Sequence, residues 1–444
     1  MRTINKDILK LAVPSIMANI TVPLVGMVDI AVAGHLDANA AVMIGGIAIG
    51  TMLFDLLYWN FGFLRVGTGG LTAQAYGRGD RKECVRILTR ALGIAIACAI
   101  LLIAIQWIFV KAAFLVVDCT PEVRKLASEY FFIRIWAAPA TLGLMAFKGW
   151  FIGMQDSVSP MTTDLMVNGM NILMSIVLSM KIGFAGIAAG TVVAQYSGLL
   201  TAIVIMLVRY RRNTVSLLDS DDLKSVFKGG ETRRFFVMNA DLYVRSLCFI
   251  AIYIGFTVIS ARYGDTLLAV SSIIMKLLMI FSYFTDGFAY AGEALTGKYI
   301  GAKDGQMVRQ TVKWTFVWSM AIALIFMGIY HFAGVPMLKM MTSDHSVVAA
   351  AEAYLPWLLL MPVMGCAAFT WDGIYIGATA SKAIRDSMLW AVVGFFAVWA
   401  AGLLFRDVAP SMSMHVLMGA YFAHLLARTV YLSVRYRKDI LNFG

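Results

Sequence analysis

A single aspartate, Asp29, lies inside an apolar segment that is long enough to span a membrane. The run from residue 8 to residue 34 contains only Lys10 and Asp29 as charged side chains. A carboxylate at this depth costs about 2.5–3.5 kcal/mol, so we expect it to face a cavity or a polar partner. Such a group can take up and release protons. Structural alternatives are that it caps a neighbouring helix or pairs with Arg134.

A second polar feature follows helical spacing. Asn168, Asn171 and Ser175 stand at i, i+3 and i+7 in another apolar run, which places them on one helix face. Their amides and hydroxyl are able to hydrogen-bond the Asp29 carboxyl or a bound cation. The alternative is that they are polar contacts between helices, which membrane bundles use commonly.

Further charged residues lie within the apolar runs. Asp241 and Arg245 are four residues apart, a spacing at which they could simply pair with each other. Asp55 and Lys276 are nearer to mid-membrane, and the sequence indicates no role for them. Residues that are candidates for an inner gate or for contacts between lobes are Lys148, Asp241, Arg245, Asp286, Glu293 and Asp372.

No pattern typical of catalysis, metal binding or a cofactor accompanies these residues. The five cysteines are far apart and form no C-x-x-C motif, and no H-x-x-x-H motif is present. The glycine-containing loops "QAYGRGD" and "KYIGAKD" lack the G-x-x-x-x-G-K-[ST] phosphate-binding pattern. We therefore expect neither an ATPase nor a membrane-embedded enzyme that acts on lipid, and no cofactor or metal.

The composition indicates a polytopic membrane protein. Of the 444 residues 60% are hydrophobic and 14% charged, against about 25% charged in a soluble domain, and the mean hydropathy is +0.78. The net charge of +11 comes from basic residues in the loops between apolar runs. That distribution is a membrane topology signal and does not indicate nucleic-acid binding.

Twelve apolar runs are long enough to cross a bilayer as helices. None shows the period-2 alternation of a β-barrel strand, so we predict an all-α protein. The first run is too long for a cleavable signal peptide. The predicted spans lie near 8–34, 40–64, 88–114, 126–152, 160–181, 184–208, 236–261, 266–292, 312–334, 348–377, 384–406 and 411–434.

The longest polar stretch, 209–235, divides the chain into predicted six-helix lobes at 1–208 and 236–444. Lys and Arg number 25 on one side of the twelve-span topology and seven on the other. Since the richer side is cytoplasmic, both termini and the linker at 209–235 are expected inside.

The two halves contain repeated motifs at one offset. "KGWFIGM" (148–154) and "DGIYIGA" (372–378) share G-x-x-I-G, and "LTAQAYGRGD" (71–80) and "LTGKYIGAKD" (295–304) share four positions. Both pairs are 224 residues apart. Because each half has an even number of spans, the lobes form a parallel repeat with a pseudo-twofold axis along the membrane normal, an architecture of alternating-access transporters.

These motifs, together with "PLVGMVDIAVAGHL" and "NGMNILMSIVL", resemble the multidrug and toxic compound extrusion (MATE) family, in its DinF-type branch. The resemblance covers nearly the whole chain. It implies twelve helices in two bundles and export of small organic, often cationic and amphiphilic, compounds, driven by inward proton or sodium movement. An alternative within the superfamily is a flippase of lipid-linked precursors. We expect a monomer in a bacterial inner membrane.

The resemblance also implies site residues. It places the coupling aspartate at Asp29 and a polar contribution at Thr191. Family members often carry an acid where this chain has Ser175, so a cation site with two carboxylates is not supported here. The expected coupling set is Asp29, Asn168, Asn171, Ser175 and Thr191, and its lone carboxylate favours protons over sodium.

Overall fold

The computed structural model describes residues 2–34, 40–115, 117, 119–210, 226, 230–342, 344–404 and 410–442. Within these ranges the chain is helical and contains no strand. The predicted all-α polytopic class is therefore confirmed. A helix satisfies its backbone N–H and C=O groups internally, which a segment in lipid requires because no water is there to bond them.

In the described residues before the linker there are eight α-helices. Two predicted spans are each divided: residues 60–62 form a turn between α2 and α3, and a 3₁₀ turn (Ile135–Ala137) separates α5 from α6. Thr120 caps α5, and Pro121 occupies the first turn, where its missing N–H costs nothing. The helices are α1 (Arg2–Gly34), α2 (Ala40–Trp59), α3 (Phe63–Gly77), α4 (Arg81–Ala113), α5 (Pro121–Arg134), α6 (Ala138–Gly153), α7 (Val158–Ile182) and α8 (Phe184–Arg209).

The part of the chain that the structure describes after position 229 contains seven α-helices, and the last is followed by a π-helical turn (Arg437–Leu441). A short helix capped by Asp344 overlaps the start of the tenth predicted span, near 348–377. The helices are α9 (Gly230–Ala261), α10 (Asp265–Gly301), α11 (Gly305–Met341), α12 (His345–Glu352), α13 (Leu355–Gly377), α14 (Ser381–Leu403) and α15 (Pro410–Tyr436).

Eleven helical segments of the described chain are long and apolar enough to cross a membrane. Some run through the breaks noted above, as in the span Val42–Gly77. Helix α15 is not among the eleven, although its 27 residues are sufficient for a crossing. It carries Arg428, Arg435 and two histidines, which lower its hydropathy.

The chain packs as two compact units. One comprises residues 17–236, and the other comprises residues 1–16 and 237–444. The core of the first unit is built around aromatic side chains such as Phe54 and Phe131, whose ring centroids are 4.6 Å apart. The core of the second includes Phe281 and Tyr330, and the Tyr330 hydroxyl donates to the carbonyl of Leu277 at 2.6 Å.

The repeat is visible in one helix crossing that occurs in both units. A Cβ on Gly149 of α6 would lie 2.1 Å from the carbonyl oxygen of Arg65 in α3, and a Cβ on Gly373 of α13 would lie 2.1 Å from that of Ala289 in α10. All four residues obey the 224-residue offset. Backbones approach this closely only where glycine leaves the space, as is common between membrane helices. Gly153 and Gly377 make the next such contact along each crossing.

The turns that follow these helices are repeated as well. Asp80 and Asp304 each accept the backbone N–H three residues ahead at 3.0 Å and so cap the next helix. The residue before each aspartate has a positive φ, 75° at Gly79 and 58° at Lys303. The repeated motifs at 71–80 and 295–304 therefore end in turns of matching backbone geometry after α3 and α10.

One described residue of the linker, Val226, packs on the first unit and is 2% exposed. Its carbonyl accepts a hydrogen bond from Nε of Arg90 at 2.7 Å and another from the Thr232 hydroxyl at 3.0 Å. Arg90 is buried and also forms a 2.6 Å ion pair with Glu83. Residues 211–225 and 227–229, which hold most of the linker's charge, lie outside the described residues.

Candidate functional site

Asp29 is buried within the first unit. It lies on α1, five residues before the helix ends at Gly34, and is 6% exposed. Its Oδ1 has no hydrogen-bond partner among the described residues. The Ser175 hydroxyl acts on the carboxyl group through hydrogen bonding, and the Arg134 guanidinium acts on it through its charge. The carboxyl group is therefore out of water and incompletely paired.

The polar residues of α7 and α8 form a chain that leads from this carboxyl group. Ser175 donates to the amide oxygen of Asn171 at 3.4 Å, and Asn171 Nδ2 donates to the Thr191 hydroxyl at 3.0 Å. All three residues are at most 4% exposed. The structure thus brings Asp29, Ser175, Asn171 and Thr191 together across α1, α7 and α8.

Asn168 makes a hydrogen bond to α1, whereas Asn171 makes one to α8. It is half-buried, and its Nδ2 donates to the Thr21 hydroxyl, two turns before Asp29 on α1. Asn168 therefore joins α7 to α1 through Thr21. Thr21 was not predicted from the sequence, because a lone threonine in an apolar helix carries no distinctive signal.

Arg134 is held by aromatic groups and not by a direct ion pair with Asp29. Its Nη1 donates to the Tyr130 hydroxyl at 2.9 Å, and its guanidinium carbon lies 4.8 Å from the ring centroid of Phe54. Ring faces attract cations in this arrangement. The charges of Asp29 and Asp55 both act on Arg134. One cation therefore interacts electrostatically with two carboxylates, on α1 and α2.

Asp241 and Arg245, which their i,i+4 spacing would allow to pair with each other, each pair with a residue of another helix. Asp241 forms a 2.6 Å ion pair with Arg385 of α14 and accepts a hydrogen bond from Ser381 at 2.8 Å. Arg245 pairs instead with Asp372 of α13 at 2.7 Å. The i,i+4 spacing is outweighed because helices packed on either side of α9 present closer partners.

Two of the remaining gate candidates, Lys148 and Asp372, form ion pairs inside their own units. Lys148 of α6 forms a 2.7 Å ion pair with Asp164 of α7, and Asp372 also accepts from the buried Arg428 of α15. Glu293 is fully buried in α10, and Asp286 is half-buried on the same helix. The described part of the chain contains no group of three or more His, Cys, Asp or Glu residues able to hold a metal ion.

Comparison with known proteins places the chain in a family. The MatE family matches residues 14–177 and 242–398, which together are well over half of the chain. The chain belongs to the MatE family. This MatE protein is 34% identical over 440 residues to DNA damage-inducible protein F of Escherichia coli K12, covering 99% of the chain and 93% of that relative.

More distant relatives of this MatE protein carry transport names. It is 24% identical over 411 residues to the probable multidrug resistance protein NorM of Photorhabdus laumondii, with 90% of the chain and 86% of the relative covered. Its fold matches the outward-facing structure of a multidrug resistance MATE family transporter with a TM-score of 0.87 at 14% identity, over 99% and 97% of the two chains. The chain is accordingly a polytopic membrane protein of a transporter family.

Three charged partners in this MatE protein were missed at the sequence level. Asp164, Arg385 and Arg428 complete the ion pairs described above, and the sequence places each far from its partner. Arg428 carried a usable signal, because a basic residue inside an apolar run requires a partner in the membrane. The signal does not identify which acid that partner is.

Proposed function

We propose that this protein is a secondary antiporter that exports small organic, mainly cationic and amphiphilic, compounds in exchange for inward protons. The observation that carries the proposal is the buried, incompletely paired carboxyl group of Asp29 at the head of a polar chain across three helices. Relatives named for multidrug resistance support the substrate class.

The polar chain can respond to the charge of Asp29. Ser175 has one hydroxyl proton, which it can donate either to the ionised carboxylate or to Asn171. The neutral acid has a proton of its own to donate and would compete for Asn171 or Ser175 as acceptors. Burial disfavours the ionised form, and the charge of Arg134 offsets part of that cost. Uptake of one proton would therefore reorder the contacts of α1 with α7 and α8.

The energy of such a switch is sufficient for transport. A hundredfold difference in proton affinity between two conformations corresponds to about 2.7 kcal/mol. A difference of this size biases a two-state equilibrium roughly a hundredfold. In the proposed cycle Asp29 takes up a proton from outside, the exported compound leaves, and release of the proton to the cytoplasm resets the site.

A transport assay tests the proposal directly. Cells or vesicles with and without the protein are loaded with a fluorescent organic cation, and its efflux is followed after a pH step and, separately, after a sodium step. Efflux that follows the pH step and depends on the protein is the expected result. Equal efflux with and without the protein in both steps would contradict the transport proposal.

Protons, and not sodium, are the coupling ion in this proposal. Sodium prefers several oxygen ligands with compensating negative charge, and Asp29 is the one carboxylate in the coupling set of Asp29, Asn168, Asn171, Ser175 and Thr191. We expect transport to persist without sodium and Ser175→Asp, which adds a second carboxylate, to make it more dependent on sodium. Ser175→Asn is the uncharged control. A strict sodium requirement of the unchanged protein at fixed pH would contradict this prediction.

We also propose that the protein lies in a bacterial inner membrane with both termini and the linker in the cytoplasm, because basic residues concentrate on that side. Two introduced cysteines provide a test. One replaces Ala302, in the exposed turn after α10 that the topology places in the cytoplasm, and the other replaces Leu115, which is 86% exposed just after α4, on the predicted outer side. In a background without native cysteines, an impermeant thiol reagent added to intact cells should label position 115 and spare position 302. The reverse pattern would invert the topology.

A further inference from the structure

The second unit contains a buried cluster of three charged residues from three helices. Asp372 of α13 accepts hydrogen bonds through Oδ2 from Nη2 of Arg245 on α9 and from Nη2 of Arg428 on α15. Arg428 is 2% exposed and Asp372 is 7% exposed. Two cations share one carboxylate, so the cluster carries an excess positive charge inside the protein.

Several N–H donors of this cluster lack a hydrogen-bond acceptor among the described residues. Nε and Nη1 of Arg428 and Nε of Arg245 have no partner among the described residues. In a guanidinium, Nε carries one N–H and Nη1 carries two, so Arg428 alone holds three buried N–H groups without an acceptor. Buried polar groups in folded proteins are almost always paired, and exceptions call for an explanation.

The described side chains of the cluster supply too few acceptors for these N–H donors. Asp372 has one further oxygen, Oδ1, which is also unpaired in the described part of the chain. Even if Oδ1 accepted two hydrogen bonds, as Oδ2 does, two of the four unpaired N–H groups on Arg428 and Arg245 would still lack an acceptor. His424, one turn before Arg428, is 1% exposed, and its Nδ1 is also unpartnered there. The cluster therefore lacks acceptors, and specifically lacks negative charge.

We propose that Arg245, Arg428 and the neighbouring His424 form a binding site for a small oxyanion group. Guanidinium groups bind carboxylate and phosphate oxygens through charge-assisted hydrogen bonds. The anion approaches the Nε and Nη1 groups of Arg428, on the sides of the guanidinium that Asp372 Oδ2 does not occupy. The Arg245 side chain, 23% exposed, leaves the cluster accessible from one side.

The oxyanion has two possible sources, the carboxylate of a transported molecule or a free inorganic anion. In the first case the exported compounds include zwitterions or acids as well as cations. The inference concerns the second unit only and does not depend on the proton coupling proposed for Asp29, so either can fail without the other.

Calorimetric titration of the purified full-length protein in detergent tests the site, with acetate and inorganic phosphate as probes in a constant chloride background. We expect saturable binding to the unchanged protein and at least tenfold weaker binding to Arg245→Gln. Arg428→Lys is the second variant, because it keeps the charge but replaces the five N–H donors of the planar guanidinium by the three of a single ammonium nitrogen. It should also bind at least tenfold more weakly.

Arg385→Gln is the matched control. All three guanidinium nitrogens of Arg385 already pair with Asp241 or Asp386, so its loss should leave probe binding unchanged. Binding of acetate alone supports a transported carboxylate, and tighter binding of phosphate supports an inorganic anion. Absence of saturable binding by both probes, or equal weakening in Arg385→Gln and Arg245→Gln, overturns the proposal.

Discussion

We expect Asp29→Asn to abolish proton-driven export while the protein remains folded and inserted. The amide has the size of the carboxyl group and permanently resembles its neutral form, so the contacts with Ser175 no longer change with proton uptake. Loss of a hundredfold proton-linked bias should reduce efflux after a pH step to the level of cells without the protein. Fluorescent-cation efflux from vesicles, with protein amounts matched, measures the effect.

Two further variants separate coupling from structure. Asp29→Glu retains an ionisable group and should keep part of the transport. Asp265→Asn removes an exposed carboxylate at the start of α10 and should leave the rate unchanged. Normal transport with the normal pH dependence in Asp29→Asn would show that Asp29 is structural, and Asp55, the other acid that acts on Arg134, becomes the next candidate.

Gly149→Ala should unfold or severely destabilise the first unit. The new methyl group would lie 2.1 Å from the carbonyl oxygen of Arg65 and 3.1 Å from the backbone N of Gly69. Because both obstacles are backbone atoms, α3 and α6 must separate. Overpacking of this severity costs about 3 kcal/mol or more. Thermal unfolding in detergent should then show a Tm lower by roughly 6 °C or more.

Gly169→Ala provides the control for this prediction. Gly169 lies in α7, and a Cβ there would meet nothing within 4 Å. Alanine also has the better helix propensity, so stability should stay the same or rise slightly. A Tm of Gly149→Ala equal to that of Gly169→Ala would show that the α3–α6 crossing can relax without cost.

The sequence predicted the helical class and the approximate spans because apolar length is a strong signal in a membrane protein. The predicted span boundaries were wrong where helices continue beyond the apolar run. The second span was expected to end at residue 64, yet α3 continues to Gly77 through Arg65 and three further glycines. Close packing on α6 stabilises that stretch, and hydropathy does not report packing between helices.

The candidate site was predictable in part for a similar reason. The spacing of Asn171 and Ser175 follows from the helix period, so their common face was correctly expected. Their contact with Thr191 depends on how α7 packs on α8, which was suggested only by the family resemblance. Partners such as Arg385 for Asp241 were beyond prediction, since a long basic side chain reaches several acids and only the packed fold selects one.

Because the same helix crossing occurs in both units, a substitution in one unit can be compared with the equivalent substitution in the other. Gly149 and Gly373 face the same backbone obstacle at the same 2.1 Å distance, although the polar residues of the two units differ. A substitution made at one position and again 224 residues later disturbs the same geometry twice, so a difference between the two losses in Tm reports how the packing around the crossing differs between the units.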